Sequence, residues 1–302
     1  MRPTLRQLEY LLAVADTGRF GAAAARLNVS QPSLSAQVAE TEADLGLRIF
    51  NRDRSGARLT PGGTEVVRRA REILRAVEDL RASVTGEGIF DGRLRLGVLP
   101  SIGPYLLPNV VRRLHLDYPS FRLVVREEST QDLEDGLQKG RFDMIISTPE
   151  DHPGTLQIPL FEETFWAAFA KDDPLAGIEG PVAPRDLQKR IFLTLGARHR
   201  LSRSVAALAT QNGGYISDEY EGTSLDAIRL MAAAGSGVAI LPEIYAMIEA
   251  RRGTDVALRA VRDAGARRQL SLIQPSSTEL RPGSETLAEV LTTEAHKLME
   301  RV

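Results

Sequence analysis

The 302-residue sequence has no cysteine. That excludes disulfides, thiolate-ligated zinc, a thiol nucleophile and any sensor that works by thiol oxidation. Histidine is scarce as well: His115, His152, His199 and His296 stand far apart, without the close spacing of a metal-binding pair. No run of about 18 apolar residues occurs, so no membrane span is expected. A charged start followed by an unbroken apolar stretch is missing too, and a cytoplasmic location is expected by elimination. Net charge is nearly absent, since 38 Lys and Arg against 40 Asp and Glu leave −2. Any nucleic-acid site must therefore be a local basic patch on a near-neutral body. There is no phosphate-binding loop and no G-x-S-x-G elbow. Gly235-Ser-Gly237 follows a helical segment, whereas a dinucleotide site opens a helix after a strand. No enzyme, cofactor or metal is expected.

What is present is an ordinary globular composition, 43% hydrophobic and 26% charged. The length calls for two or three folded units. Thr4 and Gln7 have capping-box spacing, and Leu5, Leu8, Leu11, Leu12 and Ala15 share one helical face before Gly18. An alanine-rich segment, Phe20 to Leu27, reads as a second short helix. Asn28-Val29-Ser30 is a tight connection with Ser30 as cap, and Gln31-Pro32 opens a third helix with proline in its first turn. Arg48, Arg52, Arg54 and Arg58 surround Asp53 in a hairpin-like stretch tipped by Ser55-Gly56. Thr60-Pro61 then starts a long helix.

In that helix Val66, Ala70, Ile73, Val77, Leu80 and Val84 recur at spacings of four and three, flanked by charge. Such a seam suits pairing with a second copy; packing on the chain's own core is the alternative reading. Gly86, Gly88 and Gly92 form a joint. Beyond it, strand and helix patterns alternate: Leu94 to Val98, Ser101 to Leu116, Phe121 to Arg126, Gln131 to Gln138, Phe142 to Ile146. This order implies a parallel sheet covered by helices. Later strands are expected at Thr164 to Ala170, Ile191 to Leu195, Val238 to Leu241 and Leu270 to Ile273. Helices are expected from Ser224 to Ala234 and from Ser284 to Leu298.

The run Phe20 to Ser30, then Gln31-Pro-Ser-Leu-Ser-Ala-Gln-Val38, strongly resembles the helix-turn-helix of LysR-type transcriptional regulators. Glu42, Leu45-Gly46, Phe50-Asn-Arg52 and Leu59-Thr60-Pro61-Gly62-Gly63 extend the resemblance. Thr41 departs from it, at a position where the family usually carries leucine. The rest is similar to the peroxide-sensing, OxyR-like branch in Gly103 to Pro108, Glu127-Glu-Ser-Thr130, Thr223-Ser224-Leu225, Ala232 to Gly237 and Leu241-Pro242. Arg198-His199-Arg200-Leu201 resembles the branch's segment around its reactive cysteine. Arg200 stands where the thiol would be, and the resolving cysteine's place falls near Ala209. Redox sensing needs a thiolate, so control by a small-molecule effector is expected in its place.

The resemblance implies a multidomain protein: an all-α winged helix-turn-helix domain with a long linker helix, then an α/β effector domain of two subdomains like those of periplasmic binding proteins. The expected boundaries are 1–60 for the DNA-binding domain, 61–86 for the linker and dimerisation helix, and 87–302 for the effector domain. Within the last, subdomain I covers about 91–162 and 268–302, and subdomain II about 163–267. Its partners would be double-stranded DNA, a second copy (a dimer, and a dimer of dimers in many relatives), RNA polymerase and an effector.

The third helix is the expected recognition helix, since a single helix fits the major groove. Gln31, Ser33, Ser35 and Gln37 offer donors and acceptors to base edges, and Pro32 can touch a thymine methyl. Arg52 and Arg54 are expected on phosphates or in the minor groove. Two such domains should read half-sites roughly 34 Å apart or multiples of this. Effector contacts are expected from Ser101, Thr130 and Thr148, each after a strand, and from Thr223 or Ser224 across the cleft. Helix capping accounts for many such hydroxyls, and a cap can also be a ligand donor. His199 and Arg200 would lie near the same cleft. Arg200 there suggests an anionic effector such as a carboxylate, though it reads equally as a surface cation. An effector-independent co-regulator and a metabolite-binding protein are the alternative functions.

Overall fold

In the computed structural model, described for residues 3–53, 56–85, 93–119, 121–222, 224–253, 255–276 and 280–300, local chain signals become element ends. Thr4 and Gln7 exchange hydrogen bonds as a capping box, and Gly18 at φ 66° closes α1 (Leu5–Thr17). A short α2 (Phe20–Arg26) ends at a turn in which Asn28 takes φ 54°. Ser30 caps α3 (Gln31–Leu45), which stops at Gly46 with φ 67°. Strands β1 (Phe50–Asp53) and β2 (Gly56–Leu59) pair antiparallel and lead into α4 (Pro61–Thr85).

The chain divides into two units: Met1–Gly92 with Gln138–Arg141, and Arg93–Leu137 with Phe142–Val302. In the first unit, Leu8, Leu11 and Val14 of α1 meet Ala23, Ala24, Leu34, Val38, Ile49 and Phe50 in a buried core. Thr41, set among these apolar groups, is fully buried, and its hydroxyl donates to the Gln37 carbonyl at 2.8 Å. That bond removes the cost of burying a hydroxyl where leucine is usual.

The second unit is built on one curled mixed sheet. Its elements in chain order are β3 (Arg93–Val98), α5 (Gly103–Asp117), β4 (Arg122–Glu127), α6 (Thr130–Gln138), β5 (Met144–Ser147) and the long β6 (Leu156–Ala170). There follow β7 (Ile191–Leu193), α7 (Arg200–Gln211), β8 (Tyr215–Ile216), α8 (Leu225–Ala233), β9 (Val238–Pro242) and α9 (Glu243–Tyr245). The last are β10 (Val256–Ala260), β11 (Arg267–Gln274) and α10 (Ser284–Met299). The strand order is β4-β3-β5-β11-β6-β9-β7-β8, with β10 also on β6. As expected, β3 pairs parallel with β4 and β5. The sheet is mixed because β11 runs antiparallel to both β5 and β6.

Strand β6 makes the two-subdomain form. Residues 156–164 pair with β11, and residues 165–170 turn to β9 and β10. One subdomain is the sheet of β3, β4, β5 and β11; the other is centred on Phe165, Phe169, Phe192, Val205, Ile228 and Tyr245. A bulge between Leu270 and Ser271 absorbs the register shift beside Pro159. No helix among the described residues is long and apolar enough to cross a membrane.

Candidate DNA interface and effector cleft

The first turn of α3 is exposed. Gln31, Pro32 and Ser33 are exposed, while Leu34 and Val38 on the opposite side are fully buried. Ser35 and Gln37 are half-buried and already engaged: the Ser35 hydroxyl accepts from Arg52 at 2.8 Å, and the Gln37 amide donates to Glu40 at 3.2 Å. Arg52 also stacks over the Phe20 ring, 4.2 Å from its centroid, and lies 3.7 Å from the Glu42 carboxylate. It thus clamps the hairpin onto the recognition helix as well as presenting charge. Arg54 lies outside the described residues.

Two features of this unit escaped the sequence reading. The Glu42 carboxylate accepts from the backbone N–H groups of Ile49 and Phe50 at 2.8 and 3.0 Å, which fixes where the hairpin begins. Gly63 brings the α4 backbone directly against Ile49, whose carbonyl oxygen a Cβ would overlap. The resemblance had already quoted Glu42, and the available signal for the close approach was the second of two consecutive glycines.

The linker seam separates into parts. Ala70 is fully buried in the helix-turn-helix core and Val66 packs against that core, so the own-core alternative holds for both. Buried Arg71 reinforces this base by an ion pair with Asp16 of α1. Ile73 is 47% exposed and Val77 half-buried. The side chains of Leu80 and Val84 lie outside the described residues.

In the second unit, a cleft of about 460 Å³ opens at the carboxyl ends of the parallel strands. His199 and Ser224 line it together with Tyr105, Glu127, Ser129 and Asp226. Ser224 also caps α8 through the Ala227 N–H at 3.2 Å. Ser101, Thr130 and Thr148 are buried and do not line the cleft, although the neighbours Pro100 and Ser129 of the first two do. The Ser101 hydroxyl accepts from Arg268 at 2.9 Å, and Thr130 accepts from the Arg200 N–H at 3.0 Å. The Thr148 hydroxyl has no partner among the described residues. Thr223 lies outside them.

Arg200 faces away from this cleft. Its guanidinium meets Asp151 at 2.7 Å, the same carboxylate oxygen that Arg203 reaches at 2.7 Å, beside a separate depression. Arg198 pairs with Asp132. The segment opening α7 is therefore tied to the other subdomain through Thr130, Asp132 and Asp151. The anionic preference, which rested on Arg200 reaching the ligand, has no support in this geometry.

The match to known families decides what the two units are. Residues 5–64 match the bacterial regulatory helix-turn-helix protein, lysR family, and residues 88–296 match the LysR substrate binding domain. The chain belongs to the LysR family. It is a LysR-type DNA-binding transcriptional regulator with an OxyR-like scaffold and no cysteine. It is 32% identical over 289 residues to the DNA-binding transcriptional dual regulator OxyR of Escherichia coli K12, covering 95% of this chain and 94% of that one. It is 30% identical to the HTH-type transcriptional regulator EstR of Acinetobacter baylyi, at 96% of each chain. A full-length OxyR variant from Pseudomonas aeruginosa superimposes with a TM-score of 0.77 at 29% identity, covering 97% of this chain and 95% of that one.

Two buried histidines should contribute to the acid response of this LysR-type regulator. Burial pushes His152 and His199 below the ordinary imidazole range, so the folded chain holds both neutral. The unfolded chain takes up those protons below about pH 6.5. Stability should therefore fall as pH drops from 7 towards about 5.5, by up to about 1.4 kcal/mol per pH unit for each histidine. Urea midpoints measured across this range should flatten in a His152→Gln, His199→Gln double variant. An equally steep dependence in that variant would assign the effect elsewhere.

Proposed function

We propose that this regulator reads DNA through the exposed first turn of α3 and answers to a small effector held in the cleft between its subdomains. The observation that carries the reading is the position of Gln31, Pro32 and Ser33, solvent-facing while the same helix buries Leu34 and Val38. Gln31 suits adenine, and its side chain lies near Gly21 of α2, which keeps it at the helix tip. Arg52 and Arg54 supply phosphate contacts, with Arg52 braced by Ser35. Ile73, Val77, Leu80 and Val84 pair α4 with a second copy, Val66 and Ala70 serving the internal core. Dimers of dimers and contact with RNA polymerase follow from the same role. The protein works in the cytoplasm, where its DNA is, and catalyses no reaction.

Gel-shift titration of the chain on its own upstream region tests this. Gln31→Ala should weaken specific binding by about 1–3 kcal/mol while leaving binding to unrelated DNA unchanged. If Gln31→Ala and Ser33→Ala both bind the specific site like the parent, α3 is not the reading element.

A further inference from the structure

Four carboxylates, Glu127, Glu128, Asp132 and Asp226, stand in the walls of the cleft. Arg198 pairs with Asp132, and Glu128 and Asp132 have further partners. Asp226 accepts from the Tyr245 hydroxyl at 2.7 Å and more weakly from Arg229 at 3.4 Å. The Glu127 side chain is exposed at the cleft and makes no hydrogen bond or ion pair among the described residues, and partial loss of solvent pushes its carboxyl up. Its charge is open to an incoming cation.

A second, independent observation points to a ligand. His199 is only 5% exposed and lines the same cleft, yet its ring nitrogens make no hydrogen bond to the described residues. Burial holds the ring neutral, so one nitrogen is an open acceptor. Its nitrogens keep access to the open cleft, where a ligand's donor can reach them. Tyr105 completes the set, presenting a half-buried ring that packs edge-on to Tyr245 at a centroid distance of 5.4 Å. Its phenol is pushed up to about 12, first by burial and then by the charges of Asp226, Glu249 and Glu127. The ring therefore stays neutral, and lines the cleft as an aromatic group that a cation could meet.

We propose that the effector is an organic cation, an ammonium or guanidinium compound, held by Glu127, the open nitrogen of His199 and the ring of Tyr105. This rests on the cleft being the effector site. A bare metal ion fits less well, because no three His, Asp or Glu side chains converge to hold one among the described residues. The cleft is also far larger than an ion, at about 460 Å³.

The test is calorimetry on the full-length protein with agmatine, 1,4-diaminobutane and benzylamine, and with benzyl alcohol and benzoate as the neutral and anionic matches. At least one cation should bind saturably, benzyl alcohol and benzoate should not, and Glu127→Gln should weaken the cation by about ten- to hundredfold. Thermal melting of the same variant should match the parent, which separates a lost contact from a damaged fold. Saturable binding of benzoate or benzyl alcohol that is lost in Ser224→Trp would overturn the cationic assignment while leaving the cleft as the effector site. No saturable binding of the cations at millimolar concentration, or binding indifferent to Glu127→Gln, overturns the assignment as well. A gel shift in parallel reports on DNA binding separately, whatever the calorimetry shows.

Discussion

Glu163→Ala is expected to destabilise the effector domain by about 3–5 kcal/mol, read as a fall in its urea midpoint. Glu163 is fully buried on β6 and Arg268 is 4% exposed on the adjacent β11. The carboxylate accepts from Arg268 through Nε at 2.8 Å and Nη2 at 2.5 Å. Its other oxygen accepts from the Ile244 N–H at 3.1 Å, and Arg268 reaches on to Ser101. Removing the acid leaves a guanidinium with neither water nor counter-charge, which is costly because the pair's attraction was offsetting two desolvation penalties. A Glu163→Met, Arg268→Met double variant should recover most of the loss, since both penalties vanish together. A Glu163→Ala cost below about 1 kcal/mol would show that water reaches this site.

The second large effect is expected at Gly63. A valine there must displace the Ile49 backbone, not a flexible side chain, and that segment is held by the Thr60 N–H to Ile49 carbonyl bond at 2.9 Å. Overpacking costs about 1–3 kcal/mol when side chains can shift, and a rigid backbone neighbour places this case at or above the upper end. Because Ile49 leads directly into β1, DNA binding should be lost while ligand binding by the effector domain persists. Gly62→Ala is the matched control. Its Cβ would meet only Leu47 Cδ1 at an ordinary 3.6 Å, and alanine favours the helix by about 0.5–1 kcal/mol. If Gly63→Val shifts DNA no worse than Gly62→Ala, the close approach is not required.

The helix-turn-helix was legible because its element ends are written in local chemistry: the Thr4–Gln7 box, the Ser30 cap, Pro32 and Thr60-Pro61 each act within a few residues. The parallel strands β3, β4 and β5 were legible for a similar reason, from short apolar alternations. Strand β6 was only half visible, because Pro159 and the acids Glu162 and Glu163 break the expected pattern. A bulge accommodates the proline, and Arg268, more than 100 residues later in the chain, neutralises Glu163. Strand β10 was missed because its partner β6 lies far earlier in the chain, and helix α7 was missed although its neighbours β7 and β8 flank it in sequence. His199 and Ser224, expected near the effector from the resemblance, line the cleft, while Tyr105 and Glu127, which line it too, were quoted in its motifs without a role. Arg200 was misplaced towards the ligand because its partner Asp151 belongs to the other subdomain, a pairing no local pattern reveals.

The position of β11 bears on how the molecule is made. Its neighbours β5 and β6 are translated early, but the strand that belongs between them emerges on the order of 100 residues later, roughly 5–20 s at bacterial elongation rates of about 5–20 residues per second. Throughout that interval the edges of β5 and β6 that β11 will join lack their partner on the nascent chain, and unpaired backbone edges invite pairing with the wrong strand. The half of the effector domain that begins first is therefore completed last, and a ribosome stalled before Arg267 would present a species suited to chaperone capture.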